Sequence, residues 1–237
     1  MDICQPNTER VCDEREIYES RLPLDSANLL ELGCGKADKT RAIAETGRVA
    51  SIVALEVDEI QHAKNLQVTD LPTVQFARGG AEHIPFPDSR FDIVLLFKSL
   101  HHVPLEKMDQ ALAEIHRVLK PGGLAYISEP VYGGAFNEIL SLFNDERQVR
   151  EAAFAAVQRA VNSGLMTLVR QEFFSTPIRF DSFAQFEERI LNVTHTHHDL
   201  PPQLHQRVKE KFMAHLTDDG AHFHTPIRVD LLRKSTA

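Results

Sequence analysis

Short apolar runs alternate with helix-periodic stretches along the first 130 residues, and each switch of period is marked by glycine or proline. Asn28 to Leu32 reads as a buried strand; Gly33-Cys34-Gly35 breaks it, and a helical stretch runs from Asp38 to about Thr46, where Gly47 closes it. Ala50 to Leu55 repeats the strand and ends in Glu56, Asp58 to Leu66 repeats the helix, and Thr73 to Ala77 gives a third strand. Phe91 to Phe97 is a continuous apolar run, as expected of a strand covered on both faces of a parallel sheet. Beyond Pro104, Leu105, Met108, Leu112, Ile115 and Leu119 recur at helical spacing until Lys120-Pro121-Gly122-Gly123, and Leu124 to Ser128 is a fifth strand. Five strands alternating with helices predict right-handed crossovers and an α/β fold with a doubly wound, mostly parallel sheet.

From Gly133 the period changes. Helical patterns cover 135–143 and 145–162, an extended stretch covers 173–180, helices follow over 182–192, capped by Ser182, and 202–215, and 222–232 reads as a final strand. The expected organisation is a lead-in over 1–27 with a short helix near Glu14 to Ser20, a cofactor-binding core over 28–132, a helical cap inserted after the fifth strand over 133–220, and a strand in 221–237 that completes the sheet.

Composition narrows the class. With 26 Lys plus Arg against 34 Asp plus Glu, the net charge of −8 disfavours nucleic acid or an anionic membrane as partner. No apolar stretch approaches the roughly 18 residues that span a bilayer, and the opening MDICQPNTER has no apolar leader run, so a cytoplasmic location is expected. Cys4, Cys12 and Cys34 are odd in number and show no CxxC spacing, which fits reduced thiols. No metal site is expected; His195, His197 and His198 read as an exposed loop.

In such sheets ligands bind beyond the carboxyl ends of the strands. Gly33 and Gly35 permit a tight turn that brings a ligand against the main chain, with Ala37 at the third small position of a compressed GxGxxG pattern. Glu56, 19 residues beyond Ala37 at the end of the second strand, suits a pair of ribose hydroxyls. Glu31, two residues before Gly33, would repel a pyrophosphate but suits an ammonium, which favours S-adenosylmethionine over NAD or ATP. The next helix N-terminus can receive the methionine carboxylate.

Leu29-Leu30-Glu31-Leu32-Gly33-Cys34-Gly35, Glu56, Ala81-Glu82-His83-Ile84-Pro85-Phe86-Pro87, Phe91-Asp92-Ile93-Val94, Leu100-His101-His102-Val103 and Leu119-Lys120-Pro121-Gly122-Gly123 resemble, in order and spacing, the class I S-adenosylmethionine-dependent methyltransferases, closest to the small-molecule enzymes of the ubiquinone/menaquinone type. The resemblance covers about residues 28 to 130. It implies a Rossmann-like core in which Glu31, Gly33, Cys34 and Gly35 surround the methionine moiety and Glu56 holds the ribose. Val57 would pack on the adenine, Ala81 would meet its edge through the backbone with Glu82 beside it, and Lys98 and Ser99 would border the methionine end. The family often places Asp just before the Ala81 position; this chain has Gly80 there.

Transfer from a sulfonium needs alignment more than covalent help, and a base only where the acceptor enters protonated. His101, His102 and Glu129 stand at the strand ends as candidates, with Tyr132 as a positioning phenol. The expected activity is methyl transfer to a small organic acceptor; the oligomeric state stays open, a homodimer included. Two alternatives remain: a non-catalytic sensor or accessory protein that binds the same cofactor, and a nicotinamide-dependent oxidoreductase, against which Glu31 speaks.

Overall fold

The computed structural model describes residues 1–5, 8, 10–192 and 200–235. The apolar runs form the parallel strands β1 (Asn28–Leu32), β2 (Ser51–Glu56), β3 (Val74–Arg78), β4 (Phe91–Phe97) and β5 (Leu119–Pro130). Two long strands, β6 (Met166–Phe180) and β8 (Gly220–Lys234), and the two-residue β7 (Leu216–Thr217) complete the sheet. Its order is β3-β2-β1-β4-β5-β8-β6, with β7 beside β8, and β8 runs antiparallel to its neighbours. Strand order reverses between β1 and β4, and the crevice there is where such a sheet takes a ligand.

Helices cover both faces. Helix α4 (Met108–Val118) lays Met108, Ala111, Leu112, Ile115 and Val118 on one face, beside Ala153, Ala156 and Val157 of α6 (Arg147–Asn162). The spacing of those residues is the apolar stripe of an amphipathic helix, which explains both why it forms and which side it buries. The other face is covered by Ile17 and Tyr18 of α1 (Glu14–Arg21) and Ile43 of α2 (Asp38–Ala44). Helix α3 (Glu59–Asn65) starts at Asp58, whose carboxylate accepts from the amides of Ile60 and Gln61.

The cap has its own core. Phe136 and Ile139 of α5 (Gly134–Leu140), Phe183 and Phe186 of α7 (Phe183–Phe186), and Val208 and Phe212 of α8 (Pro202–Met213) pack with Phe180 and Phe223. Ser182 caps α7 by accepting from the Gln185 amide, as its sequence position predicts. The span 133–220 is not wholly helical: β6 lies within it and pairs along almost the whole of β8. Its middle, Arg170-Gln171-Glu172, faces the sheet edge and is partly exposed, so no apolar run announces the strand. Lys120 to Gly123, expected to separate helix from strand, already belongs to β5, with an irregular pairing between Phe91 and Ile93. The histidine group at 195–198 lies outside the described residues.

Candidate active site

The loop after β1 is shaped by backbone requirements. Gly33, Gly35 and Ala37 have φ of +71°, +53° and +63°, the left-handed region that favours glycine and tolerates small residues. A side chain at position 33 would bring its Cβ to 2.8 Å from the Ser99 Cβ. The loop is tied down from behind: Gly33 and Cys34 amides donate to the Leu55 carbonyl, and Asn65 Nδ2 donates to the Gly35 carbonyl at 2.8 Å. Cys34 is buried against Asn65, and burial pushes its thiol pKa up, so its sulfur is a packing group rather than a nucleophile.

Both strand-end acids are buried at the crevice. Glu56 accepts from the amides of Gly35 at 2.7 Å, Val57 at 2.8 Å and Asp58 at 2.9 Å, so it braces the glycine loop against β2 while lying where ribose hydroxyls are expected. Glu31 is 2% exposed and accepts from the Thr40 hydroxyl at 2.6 Å. Burial, only partly offset by that bond and by Lys39, raises its pKa to about 7. Among the described residues no cation lies within 4 Å of this buried acid, which fits an incoming ammonium.

Helix α1 adds residues that no local motif announces. The Glu14 carboxylate is 1% exposed, 3.5 Å from Lys98 Nζ and 3.9 Å from Lys39 Nζ. Tyr18 packs edge-on to Phe97 beside it. The lead-in therefore lies over the carboxyl end of β4, which only the tertiary fold reveals.

At the opposite wall of the crevice Val57 is 60% exposed, a large apolar side chain left open where the adenine is expected. Ala81 is buried, and the space that a side chain at Gly80 would enter is filled by the Glu82 carboxylate. An acid thus does stand beside position 80, supplied from two residues further on. Lys107 Nζ lies 3.7 Å from it.

The turn after β4 carries the third group. Lys98 has φ of +57°, an uncommon conformation for a residue with a side chain, held by its amide donating to the Ser128 carbonyl. His101 is buried, with Nδ1 2.5 Å from Glu129 Oε2, while Glu129 Oε1 accepts from the Leu100 amide at 2.9 Å. An ionised carboxylate only accepts, so the pair fixes the Nδ1–H tautomer and leaves the Nε2 lone pair facing Glu146 Oε2, 3.9 Å away. Burial raises the Glu146 pKa, but Arg150 and the charge of His101 in its protonated form outweigh it and hold the carboxyl below its usual range.

A cavity of about 230 Å³ opens here, walled by Lys98, His101, His102, Glu146 and Arg150 and by the apolar Val131, Phe136, Leu140 and Ile178. Of the expected acid–base residues, the fold brings His101 and Glu129 into direct contact and puts His102 on the same cavity. Tyr132 is not among its walls; its ring lies under the Arg147 guanidinium, 4.2 Å away. Glu146 and Arg150 come from the start of α6 and escaped the sequence reading because nothing local marks them. Among the described residues His101, His102 and Glu146 also offer ligand atoms within 4.8 Å of one another, the spacing a metal ion needs. Arg150 Nη2 already donates to Glu146 at 2.6 Å, placing a positive charge where a metal ion's would go.

A glycine loop, two strand-end acids and an open apolar wall at the switch point of a doubly wound sheet define a Rossmann-like domain for an adenosine-type ligand. Residues 30–127 match the family model described as a methyltransferase domain. The fatty-acid O-methyltransferase of Mycolicibacterium smegmatis is 34% identical over 113 residues, which are 46% of this chain and 40% of that protein. The demethylmenaquinone methyltransferase of Staphylococcus epidermidis is 36% identical over 119 residues, 48% of each chain. The matches span less than half the length of these relatives. The crystal structure of the YcgJ protein from Bacillus subtilis, 17% identical, has the same fold, with a TM-score of 0.64 over 94% of this chain and 97% of that one. The matched stretch is similar to a class I S-adenosylmethionine-dependent methyltransferase domain, and its residues are those that build the parallel core and the glycine loop.

Proposed function

We propose that the protein methylates a small organic acceptor that enters protonated on oxygen or nitrogen, with His101 taking the proton. The observation that carries this reading is the His101–Glu129 contact at the cavity bordered by Lys98, next to the loop expected to hold the methionine end. The cofactor fits the residues present: Glu31 would meet its ammonium, Glu56 its ribose, Val57, Ala81 and Glu82 its adenine. When bound, S-adenosylmethionine supplies a methyl group on cationic sulfur, and transfer to an acceptor lone pair leaves the S–C electron pair on sulfur as S-adenosylhomocysteine.

The protein's own share is orientation and proton removal. Glu129 holds the imidazole in one tautomer and stabilises the imidazolium once Nε2 has accepted the acceptor's proton; Glu146, kept ionised by its neighbours, stabilises it from the other side. The apolar walls from α5 and β6 exclude water from the acceptor. The small-molecule character of the acceptor is supported by the cavity's size and by relatives whose names give a fatty acid and a demethylmenaquinone as their acceptors. No observation favours binding without catalysis.

The test is transfer of label from methyl-labelled S-adenosylmethionine to a pool of small metabolites, by the wild-type protein and by His101→Asn. The variant should lose about 10²- to 10⁴-fold in kcat while binding S-adenosylhomocysteine as tightly as the wild type. Intact binding with no labelled product from the wild type would refute the catalytic reading, and an unimpaired variant would refute the role of His101.

A further inference from the structure

A second cavity, of about 200 Å³, adjoins the one beside His101, since Pro130, Val131 and Arg150 line both. Three guanidinium groups, those of Arg147, Arg150 and Arg228, stand on its walls. Arg228 is 2% exposed. Its Nε donates to Asp230 at 2.8 Å and its Nη1 to the Ile3 carbonyl at 3.3 Å, but its Nη2 is buried and has no hydrogen-bond partner among the described residues. Leaving a buried cationic donor unmet is costly; the Phe154 ring, 4.5 Å from the guanidinium carbon, supplies a face but no acceptor oxygen, and the residue that carries the donor lines the cavity.

The charge balance points the same way. Arg150 is neutralised by Glu146 and Arg228 by Asp230, whereas Arg147 rests on the Tyr132 ring and has no ion pair within 4 Å among the described residues. The remaining acid on the walls, Glu151, is exposed to solvent. The planar fork of Arg147 suits the paired oxygens of a carboxylate or phosphate, and Arg228 has one donor, Nη2, left to add to it. We propose that this second cavity binds the anionic group of the methyl acceptor, a carboxylate or a phosphate, while the acceptor's reacting end lies beside His101. The inference rests on the methyl-transfer reading and adds the substrate class to it: a small acid whose anionic and nucleophilic ends are separated by the wall that Pro130, Val131 and Arg150 share.

The test titrates inorganic phosphate and, separately, acetate into the full chain in the presence of S-adenosylhomocysteine. It follows the arginine Nε–H resonances by NMR, with chloride at matched ionic strength as the control, and calorimetry of S-adenosylhomocysteine runs in parallel. Saturable shifts of the Arg147 and Arg228 signals with phosphate or acetate, absent with chloride, are expected. Arg147→Gln, an exposed change that leaves the fold intact, should weaken the anion by about fivefold or more. Arg228→Met should abolish its binding. A stronger response to phosphate identifies a phosphorylated acceptor, and a stronger response to acetate a carboxylic acid. Intact S-adenosylhomocysteine binding with no saturable shift from either anion, or with Arg147→Gln binding the anion as well as wild type, overturns the proposal and leaves the methyl-transfer reading standing. Loss of S-adenosylhomocysteine binding by the wild type overturns that reading, and the proposal with it.

Discussion

Glu56 takes three backbone amides on its carboxylate and thereby joins the glycine loop to the end of β2, and it is the acid proposed to hold the ribose. Glu56→Ala should weaken S-adenosylhomocysteine by about 1 to 3 kcal/mol, the cost of unmet hydrogen bonds; calorimetry giving an unchanged affinity would remove it from the site. Glu31 makes a prediction in pH. Its carboxyl goes from an ordinary 4.5 to about 7 in the folded chain, because burial penalises the charge. Between those values the unfolded chain has already lost the proton that the folded chain keeps, so this group's contribution to stability falls as pH rises from about 4.5 to about 7. An ammonium seated on Glu31 reverses the penalty. Affinity for S-adenosylhomocysteine should therefore rise across that window, approaching roughly tenfold per pH unit well below pH 7, and level off above it. A flat profile would mean that the ammonium lies elsewhere.

At the scale of elements, the glycine loop and the cap respond differently. Gly33→Ala combines a positive φ with a close approach to Ser99 and should cost about 1 to 3 kcal/mol, read as a lower denaturation midpoint together with weaker cofactor binding. Phe212 is fully buried among Phe180, Phe183, Phe186 and Phe223. Phe212→Ala should cost about 3 to 5 kcal/mol and speed hydrogen exchange in α5, α7 and α8 while β1 to β4 stay protected. Uniform loss of protection across the sheet would show that the cap core and the parallel core melt as one unit. The parallel strands were legible because a strand covered on both faces must be apolar throughout, as in Phe91 to Phe97. The charged β6 was half legible, since an edge strand with one open side carries no such run. Helix α4 was read from its stripe, but its neighbour Lys120 to Gly123 was misjudged because proline and glycine mark a chain break whether or not the backbone stays extended.

For the whole molecule, the legible site is the part held by short-range motifs. Glu31, the glycine loop and Glu56 sit within one strand-loop-helix-strand unit, so spacing alone brings them together. The other half joins distant segments: Glu14 from the lead-in, Glu146 and Arg150 from α6, Arg228 from β8. It depends on contacts between segments far apart in the chain, as between His101 and Glu146 or Ile3 and Arg228, which no local pattern encodes, and the proposed acceptor site lies there. Glu82 shows the same limit at close range: Gly80 reads as a missing acid until the fold returns the Glu82 carboxylate to that space. Among the described residues no helix is long and apolar enough to cross a membrane. The central claim is that one crevice holds the cofactor in a single orientation with its sulfur facing His101. A crystal structure with S-adenosylhomocysteine measures this directly. The account predicts the amino group on Glu31, the ribose on Glu56, the adenine between Val57 and Ala81, and the sulfur open to the cavity lined by Lys98 and His101. A ligand bound with its sulfur turned away from that cavity, or with its adenine at Glu31, would contradict it.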